Sequence, residues 1–577
     1  MRIVNRACDL EQASFSEAID PLLQKIYQSR GMCSDSDLSL NLSQLPSPQR
    51  MLGLDAAVDL LVEALQLNQR IMIVGDFDAD GATSSALMVL ALSAMGYKSV
   101  NFIVPNRFDY GYGLTPEIVE LAHQQQPDLI ITVDNGISSV DGVDYANSLG
   151  IKVIITDHHL PGSQLPNAAA IVNPNQKNCQ FPCKNLAGVA VAFYTLSALR
   201  AALRNINWFE KSAIQEPNMA NYLDLVALGT VADVVPLDKV NRALVHQGLM
   251  RIRAGQARHG IQALLKIAGK NPSTLVASDL GFAVAPRLNA AGRLDDISHG
   301  IQCLLTDDPV LALQRAQELD QFNQDRKAIE KDMQTEALKI VEGLELSDKQ
   351  QLPAALCLYQ ADWHQGVVGL LASRIKEKYH RPVVVFARDQ EGMLKGSARS
   401  ISGLHIRDAL DAVATRNPGL ISKFGGHAMA AGLSLEESSL NEFKQALVQQ
   451  VLHTIDNEDL QATLKTDGQL DVNQITMEIA RVLRDAGPWG QSFPEPCFQG
   501  DFDLKTQRIV GQNHLKVSMS PSLAQQHTLD GIYFNIDTNK WPITAGRVRC
   551  VYRLDINEFR GRESLQLLIQ HMEPIPA

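Results

Sequence analysis

Three apolar runs close on aspartate: Ile71-Met72-Ile73-Val74-Gly75-Asp76-Phe77-Asp78-Ala79-Asp80, Leu129-Ile130-Ile131-Thr132-Val133-Asp134 and Val153-Ile154-Ile155-Thr156-Asp157-His158-His159. Short Ile/Val-rich runs between polar breaks read as strands buried on both faces of a parallel sheet. In open α/β sheets ligands bind beyond the carboxyl ends of the strands. The three runs therefore aim several carboxylates and two histidines at one rim, a donor set suited to divalent metals.

Outward from these runs, strands and helices alternate: strand 70–76, helix 82–95, strand 99–104, helix 115–124, strand 128–134, helix 138–148 and strand 151–156. This βαβ order predicts a parallel doubly wound sheet. Residues 1–50 read as a polar helical lead-in closing at Pro46-Ser47-Pro48, and residues 51–67 have helical spacing. A more helical stretch spans about 186–265. Residues 308–344 read as one long charged helix, with Asp308 as N-cap and Pro309 at its first position. Such a helix often bridges domains. A second α/β unit follows, with strand 354–358, helix 366–378, strand 382–387 and a glycine-rich turn at Gly425-Gly426. Short alternating stretches beyond 460 read as a small β domain, a barrel or sandwich.

The 577 residues suggest roughly three or four domains. A hydrophobic share of 45% and a mean hydropathy of -0.08 are ordinary for a soluble protein. No stretch approaches the roughly 18 unbroken apolar residues of a membrane span. The start of the chain lacks the apolar core of a secretion signal, so the cytoplasm is the expected compartment. Of eight cysteines, including Cys8, only Cys179 and Cys183 are close. A zinc site needs about four ligands, so these two read as reduced thiols in a loop.

The net charge of -12 disfavours nucleic acid as a partner. Its distribution points the other way. Lys239, Arg242, Arg251, Arg253, Arg258, Lys266 and Lys270 follow one another without an intervening acid. Lys505, Arg508, Lys516, Lys540, Arg547, Arg549 and Arg553 form a second basic stretch. Either alone suits a solvated face; together they favour a polyanion path.

Asp76-x-Asp78-x-Asp80-Gly81 leaves one strand and enters a helix. Alternate residues of an extended segment point the same way, so all three acids can face the rim. A helix N-cap would explain one of them, not three. An EF-hand is excluded, since the segment follows a strand and lacks the later bidentate Glu. Asp134-Asn135-Gly136 alone would be an ordinary turn. Asp157-His158-His159 at a buried strand end needs partners or metal. Carboxylates with one imidazole suit Mn²⁺ or Mg²⁺ better than zinc. Two such ions can clamp an in-line phosphoryl displacement.

With these motifs in order, the chain resembles the DHH phosphoesterase superfamily. Asp-Phe-Asp-Ala-Asp-Gly, Asp-Asn-Gly and Asp-His-His are similar to its first three motifs. Gly229-Thr230-Val231-Ala232-Asp233-Val234-Val235-Pro236 resembles the fourth. Trp363-His364-Gln365-Gly366-Val367-Val368-Gly369, Gly396-Ser397-Ala398-Arg399-Ser400 and Lys423-Phe424-Gly425-Gly426-His427 resemble the DHH-associated (DHHA1) domain. Pro286-Arg287-Leu288-Asn289-Ala290-Ala291-Gly292-Arg293-Leu294 resembles the branch that degrades single-stranded DNA. The implied architecture is a lead-in (1–50), a DHH catalytic domain (51–240), a basic helical segment with a long connecting helix (241–345), a DHHA1 domain (346–455) and a C-terminal OB-fold β-barrel (460–577).

The resemblance implies that Asp80, Asp134, His158 and Asp233 hold one metal ion. Asp78 and the shared Asp134, with Asp76, hold the second. His159 would contact the scissile phosphate, and Asp157 would orient a histidine. Arg287, Asn289 and Arg293 would grip backbone phosphates. Ser397, Arg399 and His427 would receive the terminal nucleotide or its phosphate, with Gly425 and Gly426 opening backbone amides to an anion. Phe77 stands where tyrosine is common in the family, a position expected to pack.

The expected activity is a metal-dependent exonuclease that degrades single-stranded DNA 5′ to 3′ to mononucleotides, in recombination and repair. Single-strand-binding protein and a RecQ-type helicase are the partners the resemblance implies. Specificity would come from a channel too narrow for a duplex and from the OB-fold. Tyr533, Phe534, Trp541 and Tyr552 are its candidate stacking residues, each also at home in a β-domain core. One alternative is a DHH phosphoesterase acting on short oligonucleotides, cyclic dinucleotides or pyrophosphate. Another is a non-catalytic strand-binding scaffold, which would be expected to lose metal-site acids.

Overall fold

The computed structural model describes all residues except 8–12, 105–109, 111–112, 348–351, 457, 523–526, 539–540, 545, 560 and 576–577. Cys8 and Lys540 thus lie outside the described residues. The chain divides into two compact units: residues 4–319 with 465–577, and residues 1–3 with 320–464.

The first unit contains the predicted parallel sheet. Its strands are β1 (Ile71–Gly75), β2 (Val100–Ile103), β3 (Leu129–Val133), β4 (Lys152–Thr156) and β5 (Ala170–Val172). They lie in the order β2-β1-β3-β4-β5, every neighbouring pair parallel. Every residue of β1 and β3 is buried, which is why both read as unbroken apolar runs. The strand order reverses between β1 and β3, and ligands of such sheets bind at that switch point. Register completes the rim. Gly75 pairs with Val133, Val133 with Thr156 and Thr156 with Val172. Asp76, Asp134, Asp157 and Asn173 therefore leave the sheet from one row.

Helices α1 (Ala79–Ala94), α2 (Pro116–His123) and α3 (Val140–Ser148) connect the first four strands. Helix α1 starts three residues earlier than its apolar pattern predicts, because Asp78 is its N-cap. The three aspartates are thus not on one extended segment, as expected. Asp76 follows the strand, Asp78 caps the helix and Asp80 sits in its first turn. Helices α4 (Gly188–Asn205), α5 (Leu223–Ala232), α6 (Lys239–Arg253) and α7 (Ala285–Leu294) are among the others of this part.

The same unit holds a closed barrel of strands β11 (Phe498–Val510), β12 (His514–Pro521), β13 (Leu529–Tyr533), β14 (Arg547–Phe559) and β15 (Arg562–Pro574), where β6–β10 belong to the second unit below. The barrel order is β11-β12-β13-β15-β14, with β13 and β15 parallel. Phe498, Phe502, Leu515, Tyr552 and Leu567 fill it, and Ile26 of the lead-in joins that core. The lead-in is tied down by charge as well. Arg30 Nη1 lies 2.7 Å from Asp467 Oδ1, their side chains 1% and 2% exposed. The lead-in is also less helical than predicted, since Arg2–Asn5 is a strand.

Helix α8 (Pro309–Ser347) is the predicted long helix. Asp308 Oδ1 accepts from the amides of Val310 and Leu311, at 2.8 and 3.4 Å. In the second unit its residues Met333, Ala337 and Val341 pack into a core with Leu356, Leu371 and Val385. The sheet there consists of β6 (Leu356–Tyr359), β7 (Val383–Arg388), β8 (Leu394–Arg399), β9 (Lys423–Gly426) and β10 (Ala430–Leu435), in the order β9-β10-β8-β7-β6. Gly425 and Gly426 end strand β9 rather than forming the expected turn. The reversal falls on the next residues, where the His427 amide donates to the Ala430 carbonyl at 2.8 Å.

Candidate metal centre

Asp76, Asp78, Asp80 and Asp157 are each held by backbone amides. Asp76 Oδ1 accepts from the Phe77 amide at 2.8 Å. Asp78 Oδ1 accepts from the Asp80 and Gly81 amides at 2.9 and 3.1 Å, satisfying two donors at the start of α1. Asp80 Oδ2 accepts from the Gly188 amide at 2.6 Å and Oδ1 from the Val189 amide at 3.0 Å. The N-terminus of α4 thus points at a buried carboxylate, a favourable dipole arrangement. A Cβ on Gly188 would lie 2.6 Å from the Asp134 side chain, so only glycine lets that helix end approach.

Asp134 stands at φ 62°, a left-handed conformation that aspartate tolerates better than most residues. Asn135 beside it spans the switch point. Its Nδ2 donates to the carbonyls of Val74 at 3.1 Å and Val133 at 2.9 Å. This side chain locks the ends of β1 and β3 together.

His158 Nε2 lies 3.1 Å from Asp134 Oδ1 and 3.5 Å from Asp233 Oδ2. Asp233 comes from the C-terminal end of α5. Asp157 is fully buried. Its Oδ1 accepts from the amides of His158 at 2.7 Å and His159 at 3.0 Å and from the His159 ring at 2.7 Å; Oδ2 accepts from the Ile137 amide at 2.9 Å. The ring it orients is that of His159, not the adjacent His158. Beyond β5, Asn173 Nδ2 donates to the His159 carbonyl at 2.9 Å and Asn175 Nδ2 to that of His158 at 2.6 Å.

Burial pushes the Asp80 carboxyl up to about 7, aided by the charge of Asp78 and opposed by the Val189 and Gly188 amides. Asp134 is raised well above the carboxylate range by burial and then by Asp80, Asp78, Asp233 and Asp76. Asp233 is raised by burial and by Asp80 and Asp78, against the counter-charge of His159. Asp157 behaves oppositely. Burial raises it, but its hydrogen bond with His159 and the histidine charges outweigh that and hold it low. Burial would lower His159; the Asp157 hydrogen bond and charge, with Asp233 and Asp76, lift it to about 9.

Three groups of donor atoms lie within 4.8 Å of one another: Asp76, Asp78 and Asp134; Asp80, His158 and Asp233; Asp134, His158 and His159. Crowded carboxylates that raise one another's proton affinity are stabilised when a cation neutralises them. Oxygen donors with imidazole and no thiolate fit Mg²⁺ or Mn²⁺. Asp134 belongs to two of the groups.

The Arg-Leu-Asn-Ala-Ala-Gly-Arg segment forms α7 against the aspartate turn. Asn289 Oδ1 accepts from the Ala79 amide at 2.8 Å. Arg287 donates to the Ala283 carbonyl, and Arg293 is half-buried. In the second unit, register brings Gly425, Gly432 and Ser397 into one row, with Arg399 opposite Ala430. Arg399 Nη1 donates to Ser397 Oγ at 3.0 Å. Ser397, Arg399, Gly425, Gly426 and His427 thus share one end of that sheet.

The basic stretches are less open than their sequence suggests. Arg242 is 2% exposed, donates to the Asp37 carbonyl at 2.9 Å and lies over Phe493. Arg258 pairs with Asp224 at 2.9 Å and Lys270 with Asp279 at 2.7 Å. Lys239 and Arg253 donate to the carbonyls of Ser36 and Leu275. On the barrel, Arg549 pairs with Asp501, Arg547 with Asp503, Lys516 with Asp530 and Arg553 with Glu495. The aromatics also separate: Tyr552 and Trp541 are buried, Tyr533 is half-buried, and Phe534 is 49% exposed. Cys179 and Cys183 are buried free thiols, as expected.

Asn135, Asn173, Asn175 and Gly188 escape sequence reading. One signal was present. Ala169-Ala170-Ile171-Val172 closes on Asn173 as the longer runs close on aspartate, but β5 is only three residues long.

Comparison with known proteins follows this division. The DHH family, N-terminal domain, matches residues 70–230, the DHHA1 domain 352–454 and the RecJ OB domain 466–571. Fold and site together define a DHH-family protein with a DHHA1 and an OB domain. The single-stranded-DNA-specific exonuclease RecJ of Escherichia coli (strain K12) is 54% identical over 566 residues, covering 98% of each chain. That of Haemophilus influenzae is 51% identical over 558 residues, 96% of each. The crystal structure of RecJ in complex with Mn²⁺ from Thermus thermophilus superposes with a TM-score of 0.80 at 29% identity, covering 100% of this chain and 80% of that one. The chain belongs to the RecJ family of single-stranded-DNA-specific exonucleases.

Proposed function

We infer that the chain is a metal-dependent exonuclease acting on single-stranded DNA, and propose that it works from the 5′ end, releasing mononucleotides in recombination and repair. The observation that carries the chemistry is the pair of donor groups, Asp76/Asp78/Asp134 and Asp80/His158/Asp233, at the β1–β3 switch point. These residues would hold two ions, Mn²⁺ or Mg²⁺, with Asp134 shared. Bound there, such ions neutralise phosphate charge and lower the pKa of an attacking water.

The protein's own groups supply the rest. His159, whose ring Asp157 holds by a hydrogen bond, would donate to a phosphate oxygen; Asp157 would orient it and not react. Arg287 and Arg293 are assigned to backbone phosphates. Ser397, Arg399 and His427, with the Gly425 and Gly426 amides, are assigned to the terminal nucleotide or its phosphate. The division into a lead-in, a DHH domain, a connecting segment, a DHHA1 domain and an OB barrel assigns cleavage to the first sheet and strand holding to the barrel. No helix among the described residues is long and apolar enough to cross a membrane, and a cytoplasmic setting with single-strand-binding protein and a RecQ-type helicase as partners completes the reading.

The test offers 5′-labelled single-stranded DNA, duplex DNA and a dinucleotide, each with Mn²⁺ or Mg²⁺. Labelled mononucleotide from the single strand alone is expected. Preference for the dinucleotide would mark a small-substrate phosphoesterase, and binding without cleavage a scaffold.

A further inference from the structure

We propose that Asn289 is a positioning residue for the metal-binding turn: its side-chain oxygen occupies the Ala79 amide so that the neighbouring carboxylates keep the directions in which they form their donor groups. This rests on the reading of the aspartate cluster as a metal centre. The resemblance instead assigns Asn289 a phosphate grip, which the experiment below separates from this role.

The first three amides of α1 have no partner within their own helix. Two of them, Asp80 and Gly81, are taken by Asp78 Oδ1. The remaining one, Ala79, belongs to a residue only 1% exposed, where water offers little relief. Its acceptor is Asn289 Oδ1, at 2.8 Å, from 210 residues along the chain. A buried donor left without an acceptor loses its hydration with nothing in return. Asp76, Asp78 and Asp80 also carry acceptor oxygens at this turn, and a carboxylate that swung to the Ala79 amide would leave its donor group. A neutral amide oxygen satisfies the donor without adding charge to an already crowded cluster.

A second contact on the same helix acts in the same direction. One turn beyond Asn289, a Cβ on Gly292 would lie 1.9 Å from the Phe77 carbonyl oxygen. Helix α7 therefore meets the chain on both sides of Asp78: at the Phe77 carbonyl and at the Ala79 amide. Asn289 Oδ1 is engaged by a protein N–H, so a phosphate grip would have to use Nδ2.

The full chain is compared with Asn289→Ala and Asn289→Asp by calorimetric titration with Mn²⁺, by anisotropy of a fluorescent single strand in EDTA, and by kcat and KM. Asn289→Ala is expected to weaken Mn²⁺ binding about tenfold or more, as loss of a ligand-orienting contact does, and to lower kcat, with strand affinity in EDTA unchanged. Asn289→Asp keeps an acceptor for the Ala79 amide and should bind Mn²⁺ at least about tenfold more tightly than Asn289→Ala, although a phosphate contact would suffer from its charge. A double-mutant cycle adds an independent check. Ala79→Pro removes the donor at a helix position that favours proline, after a residue already extended at φ -122° and ψ -174°. In that background Asn289→Ala should cost little further Mn²⁺ affinity. Wild-type Mn²⁺ affinity in Asn289→Ala, or a loss confined to strand affinity and KM, overturns the proposal; should Ala79→Pro fail to fold, the Ala and Asp variants decide. Failure of the wild-type chain itself to bind Mn²⁺ would instead refute the metal-centre reading.

Discussion

Asp157 Oδ1 accepts the Nδ1–H of His159 at 2.7 Å while Oδ2 accepts the Ile137 amide. Both oxygens face donors, so Asp157→Asn must turn its NH₂ group against one of them. The expected result is a kcat reduced about 10–100-fold, the range for contacts that orient a reacting group, with Mn²⁺ affinity preserved. An equal fall in Mn²⁺ affinity, measured by calorimetry, would place Asp157 among the metal ligands.

Asp134 belongs to two donor groups and is crowded by four other aspartates. Asp134→Asn should abolish cleavage while strand binding in EDTA survives. In thermal unfolding the metal-free variant should match or exceed the metal-free parent, because one buried like charge is gone. Saturating Mn²⁺ should stabilise the parent by about 2.7 kcal/mol at a hundredfold excess over Kd, and the variant by much less. Retained turnover would refute the shared-ligand assignment.

Gly292 abuts the Phe77 carbonyl. Gly292→Ala forces α7 and the aspartate turn apart, an overpacking cost of about 1–3 kcal/mol. Urea unfolding should register that loss, and kcat should fall further than Gly300→Ala lowers it, where the added Cβ would meet only the tip of Leu288 at 3.0 Å. Equal kinetics for the two variants would argue against a special role for the α7 contact.

Arg30 and Asp467 are almost fully buried as a pair. Asp467→Ala leaves the Arg30 cation without its partner, a change of about 3–5 kcal/mol in buried pairs. Limited proteolysis should then cut the lead-in near residues 1–50 at protease levels the parent survives. An unchanged digestion pattern would show that apolar contacts such as Ile26 suffice.

Phe534 and Tyr552 should respond differently. Tyr552, 1% exposed, belongs to the barrel core, and its truncation to Ala should destabilise by about 3–5 kcal/mol. Phe534→Ala should leave stability alone and weaken single-strand binding by about 1–3 kcal/mol, the worth of one stacked base. Strand affinity unaffected by Phe534→Ala would move the stacking surface elsewhere.

The rim was legible because parallel strands buried on both faces announce themselves as unbroken apolar runs, and their last residues share one register row. The three-residue β5 was too short to carry that signal, so Asn173 went unseen. The basic stretches are more paired than their sequence suggests, for a different reason. Charge is additive along the chain, but pairing is spatial: Arg258 finds Asp224, and Arg549 finds Asp501. Asp233 and Asn289 carried no local signal of their own, and came into view through motif resemblance.

The sequence by itself determined the parallel sheet, the acids at its rim, the long helix and a C-terminal β domain, because burial and strand or helix periodicity are local properties of the chain; that this domain closes into a barrel is a tertiary fact. Only the tertiary structure decided how the rim acids divide: Asp78 as a cap, Asp80 under the amides of Gly188 and Val189, Asp157 behind His159, and Asn289 on the Ala79 amide. The Asp78 and Asp157 bonds are local, but those of Asp80 and Asn289 join residues 108 to 210 apart. These long-range bonds depend on a distance and a direction that no spacing along the chain encodes.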